Sequence, residues 1–121
     1  MVRKKIGNIL YCTEDIIVHQ VNVMGVMGGG LARQLADHYP GLEKAYAIYC
    51  KLHNNRFIDL CGDVFYYKDG KIIANIFSQT ENFDTNYLNM EIALKEVKNF
   101  AKTYNLSVSI PYGIGCRNCS W

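Results

Sequence analysis

The chain has no apolar run long enough to cross a bilayer and no recognisable secretory leader, so no membrane partner is expected. Charge of neither sign is in excess. Thirteen Lys and Arg against 11 Asp and Glu leave a net charge of +2, too balanced for nucleic-acid binding by charge alone. The one basic cluster, Arg3-Lys4-Lys5, is ordinary for a solvated terminus. Histidines number 3, and His38 and His53 have no Cys or His at metal-ligand spacing, so both read as surface residues. Five cysteines, an odd count without a secretory signal, point to reduced thiols and a cytoplasmic location. No internal repeat, low-complexity segment or linker interrupts the 121 residues, which read as one domain. Half the residues are hydrophobic, enough for a real core.

What is present centres on residues 18–32. The apolar run Ile16 to Val21 reads as a buried strand ending at Asn22. A loop follows with Gly25, Gly28, Gly29 and Gly30, and then Leu31, Ala32, Leu35 and Ala36 recur at helical spacing. Strand, glycine loop and helix start, in that order, make an anion site. Glycines let backbone approach a ligand closely, and the free N–H groups and positive dipole end of a helix favour negative charge. The competing reading is a tight turn without a ligand, but four glycines in six positions exceed what one turn needs. Two other phosphate motifs are missing. The loop ends Gly-Gly-Leu-Ala rather than Gly-Lys-Ser/Thr. A dinucleotide fingerprint starting at Gly28 would need Gly or Ala at 33, where Arg33 stands, and an acid about 20 residues on.

Around that centre the chain alternates strands and helices. Residues 2–10 read as a first strand interrupted at Gly7-Asn8-Ile9. The helix after the glycine loop runs to about His38. Tyr39-Pro40-Gly41 breaks it and starts another, whose Leu42, Ala45, Tyr46 and Tyr49 form one stripe. His-Asn-Asn-Arg at 53–56 is a polar loop. Val64–Tyr67 and Ile72–Phe77 read as a hairpin around Asp69-Gly70. The second of these strands is apolar enough to be covered on both faces. Ser78-Gln79-Thr80 follows at its C-terminal end, the edge where ligands sit in open α/β sheets. Asp84-Thr85 reads as the cap of a helix over 85–104, and Glu91-Lys95 adds an i, i+4 pair. Leu106, Val108 and Ile110 alternate as a short strand before a second glycine loop, Pro111-Tyr112-Gly113-Ile114-Gly115-Cys116. If the two strands preceding the glycine loops are parallel neighbours, both loops face one cleft and suit a diphosphate.

The stretch His19-Gln20-Val21-Asn22 through Gly25-Val26-Met27-Gly28-Gly29-Gly30-Leu31-Ala32 resembles the first phosphate loop of the macro domain family, the ADP-ribose-binding module. Ala74-Asn75-Ile76-Phe77-Ser78-Gln79 resembles its central strand, and residues 111–116 its second phosphate loop. Gly7-Asn8-Ile9 stands where the family has Gly-Asp-Ile. The nearest branch includes ADP-ribose-1''-phosphate phosphatases and terminal ADP-ribose glycohydrolases. The resemblance implies a three-layer α/β/α fold with a mixed central sheet. It places Asn8 and the backbone of Ile9 at the adenine and Asn22 at the distal ribose. Met27, Gly28, Gly29, Gly30, Leu31 and Ala32 wrap the phosphates. Gly113, Ile114, Gly115 and Cys116 close from the other side, and Ser78 and Gln79 border the distal ribose. No cofactor or metal is implied. The implied partner is ADP-ribose or an ADP-ribosylated substrate, and nucleic acid only if it carries ADP-ribose.

Three departures bear on chemistry. No Lys follows the central strand, where Ser78 and Gln79 stand. The second loop continues Arg117-Asn118-Cys119-Ser120-Trp121 without a carboxylate, so a general base is missing from the expected place. The sequence ends at Trp121, short of the family's last helix and strand, and the bare sheet this implies favours self-association. Cys116 and Cys119 spell C-x-x-C, but neither a redox context nor a second ligand pair accompanies them. His19, on the core strand, reads as a hydrogen-bonded structural histidine before a catalytic one. Three readings follow: a hydrolase of ADP-ribose-1''-phosphate or ADP-ribosyl linkages with Asn22 orienting the ribose or a water, a non-catalytic ADP-ribose-binding module, and a ligand-free remnant.

Overall fold

The structure is a computed structural model describing residues 7–112 and 114. Its centre is a strand pair, β1 (Ile16–Val21) and β3 (Lys71–Phe77), running parallel with Val18 opposite Ala74 and Val21 opposite Phe77. Both are almost wholly apolar, and both are covered on two faces, which is why periodicity of 2 is absent from them. β2 (Val64–Asp69) pairs antiparallel with β3 through a tight turn at Gly70, where φ is +73°. β4 (Val108–Ser109) pairs parallel with the other side of β1. The sheet order is therefore β2-β3-β1-β4, mixed, with β1 and β3 inside.

Helices cover both faces. α1 (Gly30–His38) and α2 (Leu42–Leu52) bury Leu35, Leu42 and Tyr46 against Ile17, Val21, Ile73 and Phe77. A short α3 (Phe57–Leu60) adds Leu60 to this side. α4 (Tyr87–Tyr104) buries Met90, Ala93 and Val97 against Ile16, Val18, Ala74 and Ile76 on the other. Alternate residues of one strand thus feed two separate cores, giving the three layers that the sequence implies. Among the described residues no helix is long and apolar enough to cross a membrane.

Three local expectations change. Residues 7–10 are not a strand; Asn8 accepts the Leu10 N–H through Oδ1 at 3.0 Å and caps a 3-10 turn at Ile9–Tyr11. A side chain that satisfies the nearby backbone offers the chain an alternative to a sheet ladder. The helix at 85–104 begins at Tyr87, because Thr85 bridges to Gln79 and Asn86 takes the cap, accepting the Asn89 N–H at 3.0 Å. His53 is half-buried rather than a free surface residue, its Nδ1 2.9 Å from the Tyr49 carbonyl and its ring against Tyr49.

The location of the α4 cap is open to test. Asn86→Ala lowers unfolding free energy by about 1 kcal/mol, whereas Asp84→Ala changes it by less than about 0.5 kcal/mol, as read by urea denaturation.

Candidate functional site

β1 and β4 are parallel neighbours, and β3 lies on the other side of β1, so the chain segments leaving all three strands emerge along one sheet edge. The loop leaving β1 is tied down first. The Tyr46 phenol donates to Asn22, lying 2.6 Å from its carbonyl oxygen and 2.9 Å from Oδ1. Burial raises the Tyr46 pKa far above the ordinary phenol range, so it remains a donor. Asn22 Oδ1 also accepts the Met24 N–H at 2.8 Å, and its Nδ2 donates to the Val26 carbonyl at 3.1 Å. Asn55 Nδ2 holds the Val23 carbonyl at 3.0 Å. Gly25, at φ +83°, passes over α2 so closely that a Cβ would lie 3.4 Å from the Ala47 Cα. The loop is thus a braced crossing of α2, with Asn22 as its internal tie.

The loop then delivers the start of α1. The Met27 N–H is taken by Glu43 Oε2 at 2.9 Å. Beyond it, the N–H groups of Gly28, Gly29, Gly30, Leu31 and Ala32 have no acceptor among the described residues. The N-cap is Gly29, which has no side chain to offer, and the first turn holds no acid. A Cβ built on Gly28 or Gly29 meets no described residue within 4 Å. Unmet donors at the positive end of a helix are chemically suited to an anion.

These residues form one wall of a cleft of about 490 Å³. Gln79 and Phe83 from the β3–α4 connection, with Pro111 and Ile114 after β4, form another. His19 and Gln20 reach it from the end of β1. His19 Nε2 lies 2.6 Å from Asn75 Oδ1. The Asn75 amide nitrogen donates to the carbonyls of Phe65, at 2.8 Å, and Ile73, at 3.2 Å, so its oxygen is the acceptor and Nε2 carries the proton. Nδ1 is then a buried lone pair with no partner. Burial lowers the His19 pKa to about 4, against an opposing contribution from the Asn75 bond. The structural histidine expected from the sequence is what stands here, with one nitrogen unused. Gln20 Nε2 donates to Ser78 Oγ at 2.8 Å and Thr85 Oγ1 at 3.1 Å.

Of the residues singled out from the sequence, Asn22, Met27, Gly28, Gly29, Leu31, Ala32, Gln79 and Ile114 line this one cleft, and Gly30 sits between them as the first residue of α1. Ser78 is fully buried behind Gln20. Asn8 and Ile9 stand in the 3-10 turn, outside the cleft lining, with Ile9 packed on the α1–α2 core. Gly113, Gly115, Cys116 and Cys119 lie outside the described residues. Gln20, Val26, Phe83 and Pro111 line the cleft without having been singled out. Phe83, half exposed and at φ +65°, carries no motif that marks it. Among the described lining residues there is no Asp, Glu, Lys or Arg, and His19 is the titratable side chain.

The buried neutral imidazole makes stability depend on pH. The unfolded state binds a proton near pH 6.5 and the folded state only near 4, so stability is full above 6.5 and declines as pH falls toward 4. The loss is about 3 kcal/mol. Chemical denaturation at pH 7 and pH 4 should show His19→Gln losing less than the unmodified chain over this interval.

No family profile matches the chain. An ADP-ribose 1''-phosphate phosphatase of Candida glabrata is 33% identical over 69 residues, 55% of this chain and 38% of that protein, so the match spans well under half of that relative's length. The macrodomain of Mycobacterium tuberculosis DarG superposes with a TM-score of 0.83 at 25% identity, covering 98% of this chain and 79% of that one. Thermosipho africanus DarTG in complex with ADP-ribose superposes with a TM-score of 0.76 at 19% identity, covering 92% of this chain and 32% of that one.

Proposed function

This chain is a macrodomain by fold, and from that premise we propose that its cleft binds ADP-ribose and hydrolyses ADP-ribose-1''-phosphate or an ADP-ribosyl linkage at the distal ribose. The observation that carries the binding is the run of five N–H groups, Gly28 to Ala32, that are unmet and uncrowded among the described residues. A diphosphate supplies enough acceptor oxygens to meet them, and the helix end supplies field of the right sign. The similarity to an ADP-ribose 1''-phosphate phosphatase and to a structure holding ADP-ribose supports the nucleotide as the carrier of that diphosphate.

With the diphosphate at Gly28–Ala32, the distal ribose falls to Asn22 and Gln79, with Ser78 buried behind Gln20, and the adenine to Asn8 and Ile9 beyond the cleft lining. Ile114 lines the same cleft, and Gly113, Gly115 and Cys116, which the family resemblance assigns to the phosphates, lie outside the described residues. Asn22 works by position, since its amide is committed to Tyr46, Met24 and Val26. It fixes where the loop meets the ribose and takes no proton. His19 Nδ1 is a buried nitrogen with no hydrogen-bond partner among the described residues. A base with a pKa of about 4 stays unprotonated at neutral pH and is correspondingly weak. Catalysis on this reading rests on positioning and on stabilisation of developing charge by the loop N–H groups.

A second reading, a binding module without chemistry, is favoured by the absence of any Asp, Glu or Lys from the described cleft lining. One pair of assays separates the two. Hydrolysis requires release of phosphate from ADP-ribose-1''-phosphate or of ADP-ribose from modified protein or nucleic acid. Tight binding of ADP-ribose with neither release leaves the binding module.

Gly29→Asp tests the anion site with opposite signs. Asp is a better N-cap than Gly, so the melting temperature holds or rises. Its carboxylate occupies the donors and repels the diphosphate, weakening ADP-ribose binding roughly a hundredfold by calorimetry. Unchanged affinity contradicts the site.

A further inference from the structure

Glu43 stands outside the cleft lining, on α2, yet its carboxylate is bonded to the glycine loop. Oε2 accepts the Met27 N–H at 2.9 Å, and Oε1 lies 3.3 Å from Arg33 Nη1. The Arg33 Nη2 in turn lies 3.0 Å from Asp37 Oδ1, while its Nε is buried without a partner. A carboxylate next to an anion site is electrostatically the wrong sign, and evenly charged surfaces do not require one there. Two features give it a purpose. It removes the Met27 N–H from the series of donors, so that the unmet run begins at Gly28. It also ties three elements together: the loop through Met27, α2 through its own backbone, and α1 through Arg33.

We propose that Glu43 is a positioning residue for the anion site, its carboxylate fixing the loop at Met27 so that the donors of Gly28–Ala32 are set before the ligand arrives, with Arg33 neutralising that carboxylate toward the diphosphate. The inference rests on the ADP-ribose reading of the cleft. Preorganised donors bind more tightly because their ordering is not charged to the binding step. A hydrogen bond from a backbone N–H to a carboxylate is among the stronger ones available for such a tie.

The tie and the neutralisation separate by mutation. Glu43→Gln keeps an acceptor for Met27 and loses the charge, so its ADP-ribose affinity stays within about twofold of the unmodified chain or improves. Glu43→Ala loses the acceptor and weakens binding about tenfold. Arg33→Ala leaves the carboxylate uncompensated and weakens binding several-fold, and this defect disappears when Glu43→Gln is added. Asp37→Ala, which removes Arg33's other partner without touching the loop, binds normally. A role in stability alone does not produce rescue of Arg33→Ala by Glu43→Gln. If Glu43→Ala does not fold, the Arg33→Ala and Glu43→Gln pair carries the test.

Calorimetry with ADP-ribose reads all variants. Equal affinity of Glu43→Ala and the unmodified chain overturns the tie, and an Arg33→Ala defect that persists with Glu43→Gln overturns the neutralisation. Failure of the unmodified chain to bind ADP-ribose overturns the cleft reading itself and the inference with it. That pattern is distinct, because the first two outcomes require binding.

Discussion

A helix that begins without a cap leaves its first N–H groups seeking an acceptor, and the cleft of this protein is arranged around that imbalance. Gly29 occupies the position where Ser, Thr, Asp or Asn ordinarily turns a side-chain oxygen onto the first turn. Among the described residues the donors of Gly28 to Ala32 are unmet and nothing crowds Gly28 and Gly29. Other parts of the site hold that arrangement still. Tyr46 and Asn22 fix the exit from β1, and Gly25 lets the loop lie on Ala47. Such an arrangement lowers the stability of the empty protein and returns it when an anion binds.

The same economy of side chains limits the chemistry. Among the described residues the lining is amide, apolar and glycine, with one imidazole that burial keeps neutral. Such a lining is suited to binding and orienting, and its described residues offer no strong base or acid to a reacting bond. Rate enhancement, where it occurs, comes from holding the distal ribose and a water at a fixed distance and from donors placed where charge develops. Hydrolysis and recognition therefore draw on the same geometry, differing in whether a water has room to attack.

The parts of this account legible in the sequence are those set by local pattern. Ile16–Val21 and Ile72–Phe77 announced buried strands because most of their residues are apolar, and the Asp69-Gly70 pair announced the hairpin of Val64–Tyr67 with Ile72–Phe77. The glycine run before Leu31 announced a loop that opens a helix without a side-chain cap. What escaped depends on contacts across the fold. Asp84 and Asn86 are equally good caps by composition, and only the pairing of Thr85 with Gln79 moves the helix start to Tyr87. Asn8 lies in an apolar stretch, yet its bond to the Leu10 N–H turns the chain out of a strand. Ser78 stands at the end of a strand pointing toward the site, but Gln20 covers it. Glu43 is 16 positions from Met27, too far for any periodicity to connect them.

Amide resonances of a nitrogen-labelled sample titrated with ADP-ribose test the central claim most directly. The account predicts that the N–H signals of Gly28, Gly29, Gly30, Leu31 and Ala32 move downfield as acceptor oxygens reach them, while that of Met27, already bonded to Glu43, moves little. Saturable binding that leaves those five signals in place contradicts it.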